Sequence, residues 1–217
     1  MPPRLLVALP LLTAPAISAG QSGGSAHLYA YSIKDRAFED GYRRHLLWHQ
    51  GRQDKLAWFA WYVTDGDRAG TFVDGTFGNT PEEFAARPDP AGDGADFRVT
   101  VAPYVTPLGD DGWDVVRSAS SVTPLEKREA SVALHVYLLE PIDGKSFEGD
   151  VGRWKKGRRI TLYRSTKDGT GRYLLMVAAS GETKSPPNVP LPARIVRAET
   201  WRYAPRLSLI PGTPLAR

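Results

Sequence analysis

Apolar and polar residues alternate through "HLYAYSI" (27–33), and a period of two predicts a strand. In "KDRAFEDGYRRHLLWHQGRQ" (34–53) the spacing lengthens to that of a helix, with Asp35 placed to cap it. "LAWFAWYV", the turn "TDGDRAG" and "TFVDGTFG" then read as a hairpin. A short helix follows in "TPEEFAARP", where Thr80 and Glu83 have the spacing of a capping box. "DPAGDGAD" reads as a loop, and "FRVTVAPYVTPL" as a strand ending in a turn at "GDDG". The predicted order over residues 27–117 is β-α-β-β-α-β.

A similar order recurs over residues 131–205, after a linker at 118–130 and before a tail at 206–217. "HLYAY" (27–31) matches "HVYLL" (135–139), and "FEDG" (38–41) matches "FEGD" (147–150). "YVTDGDRAGTF" (62–72) matches "YRSTKDGTGRY" (163–173), and "VAPY" (101–104) falls on "TWRY" (200–203). The matches keep their order while their offset drifts, as loop deletions would produce. The second unit has no clear second helix, because "GETKSPPNVPLPA" is proline-rich and reads as loop.

Two such units in tandem resemble the dimeric α+β barrel superfamily, with both halves in one chain. The resemblance rests on element order and the repeat, over about residues 27–205. It implies an α+β fold: two ferredoxin-like βαββαβ repeats whose antiparallel sheets form a pseudo-dimeric barrel. Ligands of this fold sit between helix and sheet or inside the barrel. Its members include small antibiotic-biosynthesis-type monooxygenases and the haem-carrying chlorite dismutases and dye-decolourising peroxidases. A shared fold does not carry a shared function.

The first residues change the picture of where the protein works. "MPPRLLVALPLLTAPAISAG" has a positive start at Arg4, an apolar run and small-residue cleavage positions after Ala16 or Ala19. Residues 1–19 are therefore expected to be a signal peptide and 20–26 a flexible mature terminus, which implies a periplasmic or secreted protein. The apolar run is too short for a membrane span, which needs roughly 20 apolar residues, so no stable membrane anchor is expected. There is no cysteine, which excludes disulfide scaffolds, thiol enzymes, cysteine-ligated metals and lipoprotein anchors. The net charge of +4 falls to +3 once Arg4 is removed, and acids and bases are mixed. That argues against nucleic acid as a partner. The short basic cluster "RWKKGRR" (153–159) reads as a solvated helix end.

Chemistry concentrates in "HLLWH". At about 100° per residue, Phe38, Tyr42, His45 and His49 share an arc of about 60° on the helix, so both imidazoles face the sheet. Spaced four residues apart, they lie one above the other, within reach of one ligand or ion. In the repeat, Trp154 falls on His45 and Arg158 on His49, so the histidines are peculiar to the first half. Asp74 in "TFVDGTFG" is the expected third member, as orienting acid or as third metal ligand. Phe38, Tyr42, Trp48, Trp58 and Tyr62 are the expected ligand-binding residues, within an aromatic interior that includes Tyr29, Tyr31, Trp61, Trp113 and Trp201. His27 and His135 head the first strands at matching positions, where they would pair near the pseudo-twofold or simply end their strands.

No metalloprotease, phosphate-loop, dinucleotide or nucleophile-elbow motif is present. The alternating acids of "DPAGDGAD" lack calcium-loop spacing. The second half's one histidine, His135, lies on its first strand, so haem has no sequence support. The expectation is an exported α+β barrel binding a small, mainly apolar or aromatic ligand between its first helix and sheet, without a required cofactor, as monomer or homodimer. Two alternatives stand beside it: a cofactor-independent monooxygenase-like enzyme with a histidine base, in which His45 or His49 acts with Asp74, and an interaction protein whose histidines are core. A divalent metal at His45, His49 and Asp74 is the further variant of the site.

Overall fold

Strand alternation decides which side chains enter the barrel. The computed structural model describes residues 24–216 apart from 124, 168, 170 and 180–184; the expected signal peptide lies outside the described residues. β1 (Ser25–Ile33) turns Ala26, Leu28 and Ala30 inward and His27, Tyr29 and Tyr31 outward toward the helices. β2 (Phe59–Asp65) does the same, with Phe59, Trp61 and Val63 inside and Ala60 and Tyr62 outside. "WFAWY" is apolar on both faces because both faces are covered.

β3 (Thr71–Asn79) and β4 (Val105–Val115) complete the first half, and β5 (Ala133–Pro141), β6 (Ile160–Ser165), β7 (Tyr173–Ala179) and β8 (Ala193–Tyr203) form the second. The strands close in the order β1-β3-β2-β8-β5-β7-β6-β4, with every pairing antiparallel. Each half supplies four strands in the same relative order, and the two join through β2–β8 and β4–β6. Among the described residues, closure leaves no free strand edge. An eight-stranded barrel is about wide enough for side chains to fill, and Trp61, Trp113, Tyr163 and Trp201 help fill this one.

Helices cover the outside. α1 (Phe38–Gly51), α2 (Pro81–Ala85) and α3 (Pro90–Thr100) belong to the first half. α4 (Leu125–Glu129) lies between the halves, and α5 (Gly144–Trp154) covers the second. The expected capping box at Thr80 and Glu83 starts α2. Among the described residues no helix is long and apolar enough to cross a membrane.

Several stretches differ from their sequence-based expectation. "DPAGDGAD" is not a loop but the start of α3. Asp89 caps it by accepting from the Gly92 N–H at 3.0 Å, and Pro90 occupies the first turn, where its missing N–H costs nothing. The strand expected from Phe97 consequently begins only at Val105, and "GDDG" runs on inside β4 past an irregularity opposite Ala30 and Tyr31. Ser25 and Ala26, expected in a flexible terminus, are buried in β1. The expected linker and tail are packed: Arg128 and Glu129 are buried, and Leu209 bridges to Trp58.

The crossing of α1 over α3 positions the site described below, and it requires a glycine. A Cβ on Gly41 would lie 2.0 Å from the Thr100 carbonyl oxygen of α3. Gly41→Ala would gain about 1 kcal/mol in helix propensity, but overpacking typically costs about 1–3 kcal/mol and here the obstacle is backbone. We expect a net loss of about 1–2 kcal/mol in urea denaturation. A variant as stable as the wild type would show that the helices do not approach this closely.

Candidate functional site

A cavity of about 340 Å³ opens between α1, α3 and the outer face of the first-half sheet. α1 contributes Tyr42, His45, Leu46 and His49, and α3 contributes Asp93, Gly94 and Phe97. Tyr29 and Tyr31 of β1, Asp74 of β3 and Trp58 ahead of β2 form the floor, and the β4 irregularity brings Pro107 and Gly109 to the rim.

His45 and His49 are both buried, and acids satisfy both of their Nδ1 atoms. His45 Nδ1 lies 2.7 Å from Asp96 Oδ2, and His49 Nδ1 lies 2.8 Å from Asp54 Oδ2. Their Nε2 atoms converge on a single oxygen, Asp93 Oδ1, at 3.3 and 3.4 Å. Asp93 and Asp96 meet the histidine pair because they are three residues apart on one face of α3. Asp54 returns to His49 because Gln53, with φ 57°, takes the left-handed conformation just after α1. Asp54 also accepts from the Leu56 N–H at 2.9 Å and from Trp58 Nε1 at 3.0 Å.

Burial alone would favour a neutral His49, but its hydrogen bond to Asp54 and the Asp93 carboxylate facing its Nε2 outweigh burial and lift it to about 9. Burial likewise opposes ionisation of Asp54 and Asp93. Hydrogen bonding and the imidazole charges prevail and hold both below the usual carboxylate range.

Asp74 is governed by the opposite balance. It is buried beside Tyr42, which donates to its Oδ2 at 2.5 Å, while its Oδ1 is buried with no hydrogen-bond partner. Burial pushes this carboxyl up to about 7, against the lowering effects of Tyr42, His45 and His49. Burial and the nearby Asp74 charge also raise Tyr29 to about 12 and Tyr42 well above its ordinary value.

The structure thus groups His45, His49, Asp74, Tyr42 and Trp58 around one cavity. It does not give Asp74 the expected role of orienting a histidine, because Asp96 and Asp54 hold the imidazoles and Tyr42 holds Asp74. The carboxylate facing both Nε2 atoms is Asp93, so Asp93 and not Asp74 completes the group of possible ligands, whose donor atoms lie within 4.8 Å of one another. Phe38 is packed behind the wall against Phe72. Trp48 lies outside the cavity under Arg52, and Tyr62 donates to Glu39 at 2.6 Å. His27 stacks on Phe84, and His135 Nδ1 lies 3.3 Å from Thr200 Oγ1, so these two histidines do not meet. Asp54, Asp93, Asp96 and Phe97 were missed from the sequence. The Asp89–Pro90 helix start was the available signal for the three on α3, Asp93, Asp96 and Phe97.

No protein-family model and no curated protein matches the sequence. Solved structures do match in shape. A candidate chlorite dismutase, TA0507, aligns with a TM-score of 0.56 at 8% identity, covering 84% of this chain and 95% of its own. The dimeric α+β barrel is the fold of this chain. A chlorite dismutase variant from Candidatus Nitrospira defluvii aligns at TM-score 0.48 and 8% identity, over 84% of this chain and 91% of its own. A candidate monooxygenase from Lactobacillus acidophilus NCFM aligns at 0.47 and 10%, over 73% and 78%.

Chlorite dismutases carry haem, so the fit of this barrel's residues to a porphyrin can be tested. In the second half a pocket of about 280 Å³ repeats the first-half cavity, with Trp154 and Arg158 among its lining and no histidine. In the first half the free nitrogens that could ligate an iron, His45 Nε2 and His49 Nε2, both face the Asp93 carboxylate, at 3.3 and 3.4 Å. This donor set does not suit haem.

The raised Asp74 carboxyl has a measurable consequence. The folded protein holds this proton to about pH 7, whereas the ordinary value is 3.8. Between these values the folded state binds more protons than the unfolded state, so this group's contribution to stability falls as pH rises. The cost is complete above pH 7. The stability of the wild type relative to Asp74→Asn should therefore drop by about 4 kcal/mol between pH 4 and 8, at about 1.4 kcal/mol per pH unit. Parallel denaturation curves across that range check it, and a constant difference would contradict the raised carboxyl.

Proposed function

We propose that this barrel is an enzyme that moves a proton to or from a small, mainly apolar, aromatic ligand bound between α1, α3 and the first-half sheet. Asp74 is its acid–base group. The observation that carries this reading is the buried Asp74 carboxyl on the cavity wall, with Oδ1 unpartnered and Oδ2 held by Tyr42. A buried acceptor without a partner costs about 1–3 kcal/mol, which a ligand N–H, O–H or acidic C–H would offset. A base titrating near neutrality combines the right protonation state with useful driving force. Tyr29, Tyr31, Trp58 and Phe97 offer the rings on which a flat ligand would pack.

This reading moves the base from histidine to aspartate. Each His49 nitrogen faces a carboxylate, and at about 9 the ring is a proton holder near neutral pH. With the leader expected at residues 1–19, the reaction takes place in the periplasm or the medium. A ligand-binding protein without turnover is the second reading, supported by the same aromatic lining.

2-Tetralone, a flat bicyclic ketone with acidic protons beside its carbonyl, is a suitable probe. The wild type should bind it in saturation-transfer NMR and speed exchange of those protons with deuterium oxide above the buffer rate. Asp74→Asn should keep binding and lose about 10²-fold or more of that acceleration, the usual contribution of a general base. Binding without exchange would leave only the binder. Exchange unaffected by Asp74→Asn would remove Asp74 from the chemistry.

A further inference from the structure

The Asp96–His45–Asp93–His49–Asp54 chain exceeds what the proton-transfer reading requires. That reading uses Asp74 and the aromatic lining and gives the histidines no task. We propose that His45 Nε2, His49 Nε2 and an oxygen of Asp93 hold one divalent first-row transition-metal ion at the wall of this cavity. The inference concerns the same cavity, but it does not depend on Asp74 acting as a base.

Distances favour an ion. N–H···O bonds are typically 2.7–3.2 Å, and the two Nδ1 contacts to Asp96 and Asp54, at 2.7 and 2.8 Å, fall there. The two Nε2 contacts to Asp93 Oδ1, at 3.3 and 3.4 Å, are longer than that. With metal–ligand bonds of about 2.0–2.1 Å, the edge of a tetrahedron between two ligand atoms is about 3.3 Å. The site therefore has the spacing of a coordination polyhedron along two edges, and small ring rotations would bring the two nitrogens, now within 4.8 Å, to the third.

Tautomers favour it too. Metal-binding histidines usually donate their other ring N–H to a carboxylate or carbonyl, which fixes the ring and leaves the lone pair on the ligating nitrogen. Asp96 and Asp54 stand in that position for both rings. Asp54 is itself held by Leu56 and Trp58.

Charge gives the third argument. Four carboxylates, Asp54, Asp74, Asp93 and Asp96, surround two imidazoles. Arg87 reaches Asp93 only at its other oxygen, Oδ2, at 3.5 Å. Asp54 and Asp74 are buried and Asp93 and Asp96 half-buried, and clustered carboxylates shielded from water are costly unless cations join them. Two imidazoles and one carboxylate suit zinc, iron, cobalt or manganese better than magnesium or calcium, which prefer all-oxygen sets. The remaining coordination positions would face the cavity, where the ion would polarise an oxygen of the bound ligand.

The test uses metal alone, so its failure leaves the 2-tetralone result standing, and the reverse also holds. The mature full-length protein is stripped with a chelator, dialysed and titrated by calorimetry with Zn(II), and separately with Mg(II). Co(II) is followed by its visible d–d absorption. We expect one Zn(II) per chain, no comparable Mg(II) binding, intense four- or five-coordinate Co(II) bands and a higher melting temperature with Zn(II). His49→Gln and Asp93→Asn should each weaken Zn(II) binding at least about 100-fold. Asp96→Asn, which leaves all three ligands in place, should weaken it about 10–100-fold, as for other residues that orient metal ligands. Should a ligand variant fail to fold, the ¹⁵N shifts of His45 and His49 Nε2 in the wild type, with and without Zn(II), decide the matter. Absence of stoichiometric Zn(II) binding by the wild type, or unchanged Nε2 shifts, would overturn the proposal.

Discussion

Two imidazoles buried on the apolar face of one helix oblige the fold to find partners for four ring nitrogens. Unpartnered, each buried polar atom would cost about 1–3 kcal/mol. The first half is arranged around this demand. α3 crosses α1 closely enough at Gly41 for Asp93 and Asp96 to reach His45, and the left-handed turn at Gln53 folds Asp54 back on His49. Trp58, fixed by Asp54 and by its bridge to Leu209, then closes one end of the cavity.

The barrel beneath supplies rigidity and an internal comparison. Both halves use the same strand order, and both form a pocket between the outer face of their sheet and the first helix. In the second half Arg158 stacks on Trp154, its guanidinium carbon 4.5 Å from the ring centroid. α5 ends at Trp154, so Arg158, which the repeat set against His49, lies exposed beyond the helix rather than on its inner face. The second-half pocket is lined without a histidine, so the acid–imidazole chain is a feature of the first half alone.

The sequence made the repeat, the inward face of α1 and the closed apolar strands legible, because each rests on a periodicity carried by many residues. The acids that complete the site rest on single residues and were not legible. α3 contains Pro90, Gly92 and Gly94 and shows no apolar stripe, so its helical state depends on the Asp89 cap and on packing against α1. The approach of Asp54 to His49 depends on one left-handed residue, Gln53, a conformation that non-glycine side chains adopt rarely and that spacing does not reveal. Asp74, expected beside the histidines, lines the same cavity as they do. Its partner could be known only from the register that sets β3 beside β1, beneath Tyr42.

The two kinds of acid in this cavity argue against a purely structural role. Replacing buried ion pairs with apolar side chains of similar volume is often neutral or stabilising, by about 1–4 kcal/mol. A chain of three carboxylates and two imidazoles is therefore a poor device for stability alone. Asp74 sharpens the point, since the same cavity holds Asp93 well below its ordinary value and lifts Asp74 to about 7. The difference lies in partners: Asp93 meets two imidazoles, whereas Asp74 meets one phenol and leaves an oxygen bare. One carboxylate is thus kept charged while another is kept ready to take or give a proton. Environments that push neighbouring carboxyl groups apart in this way separate the task of holding charge from the task of moving a proton.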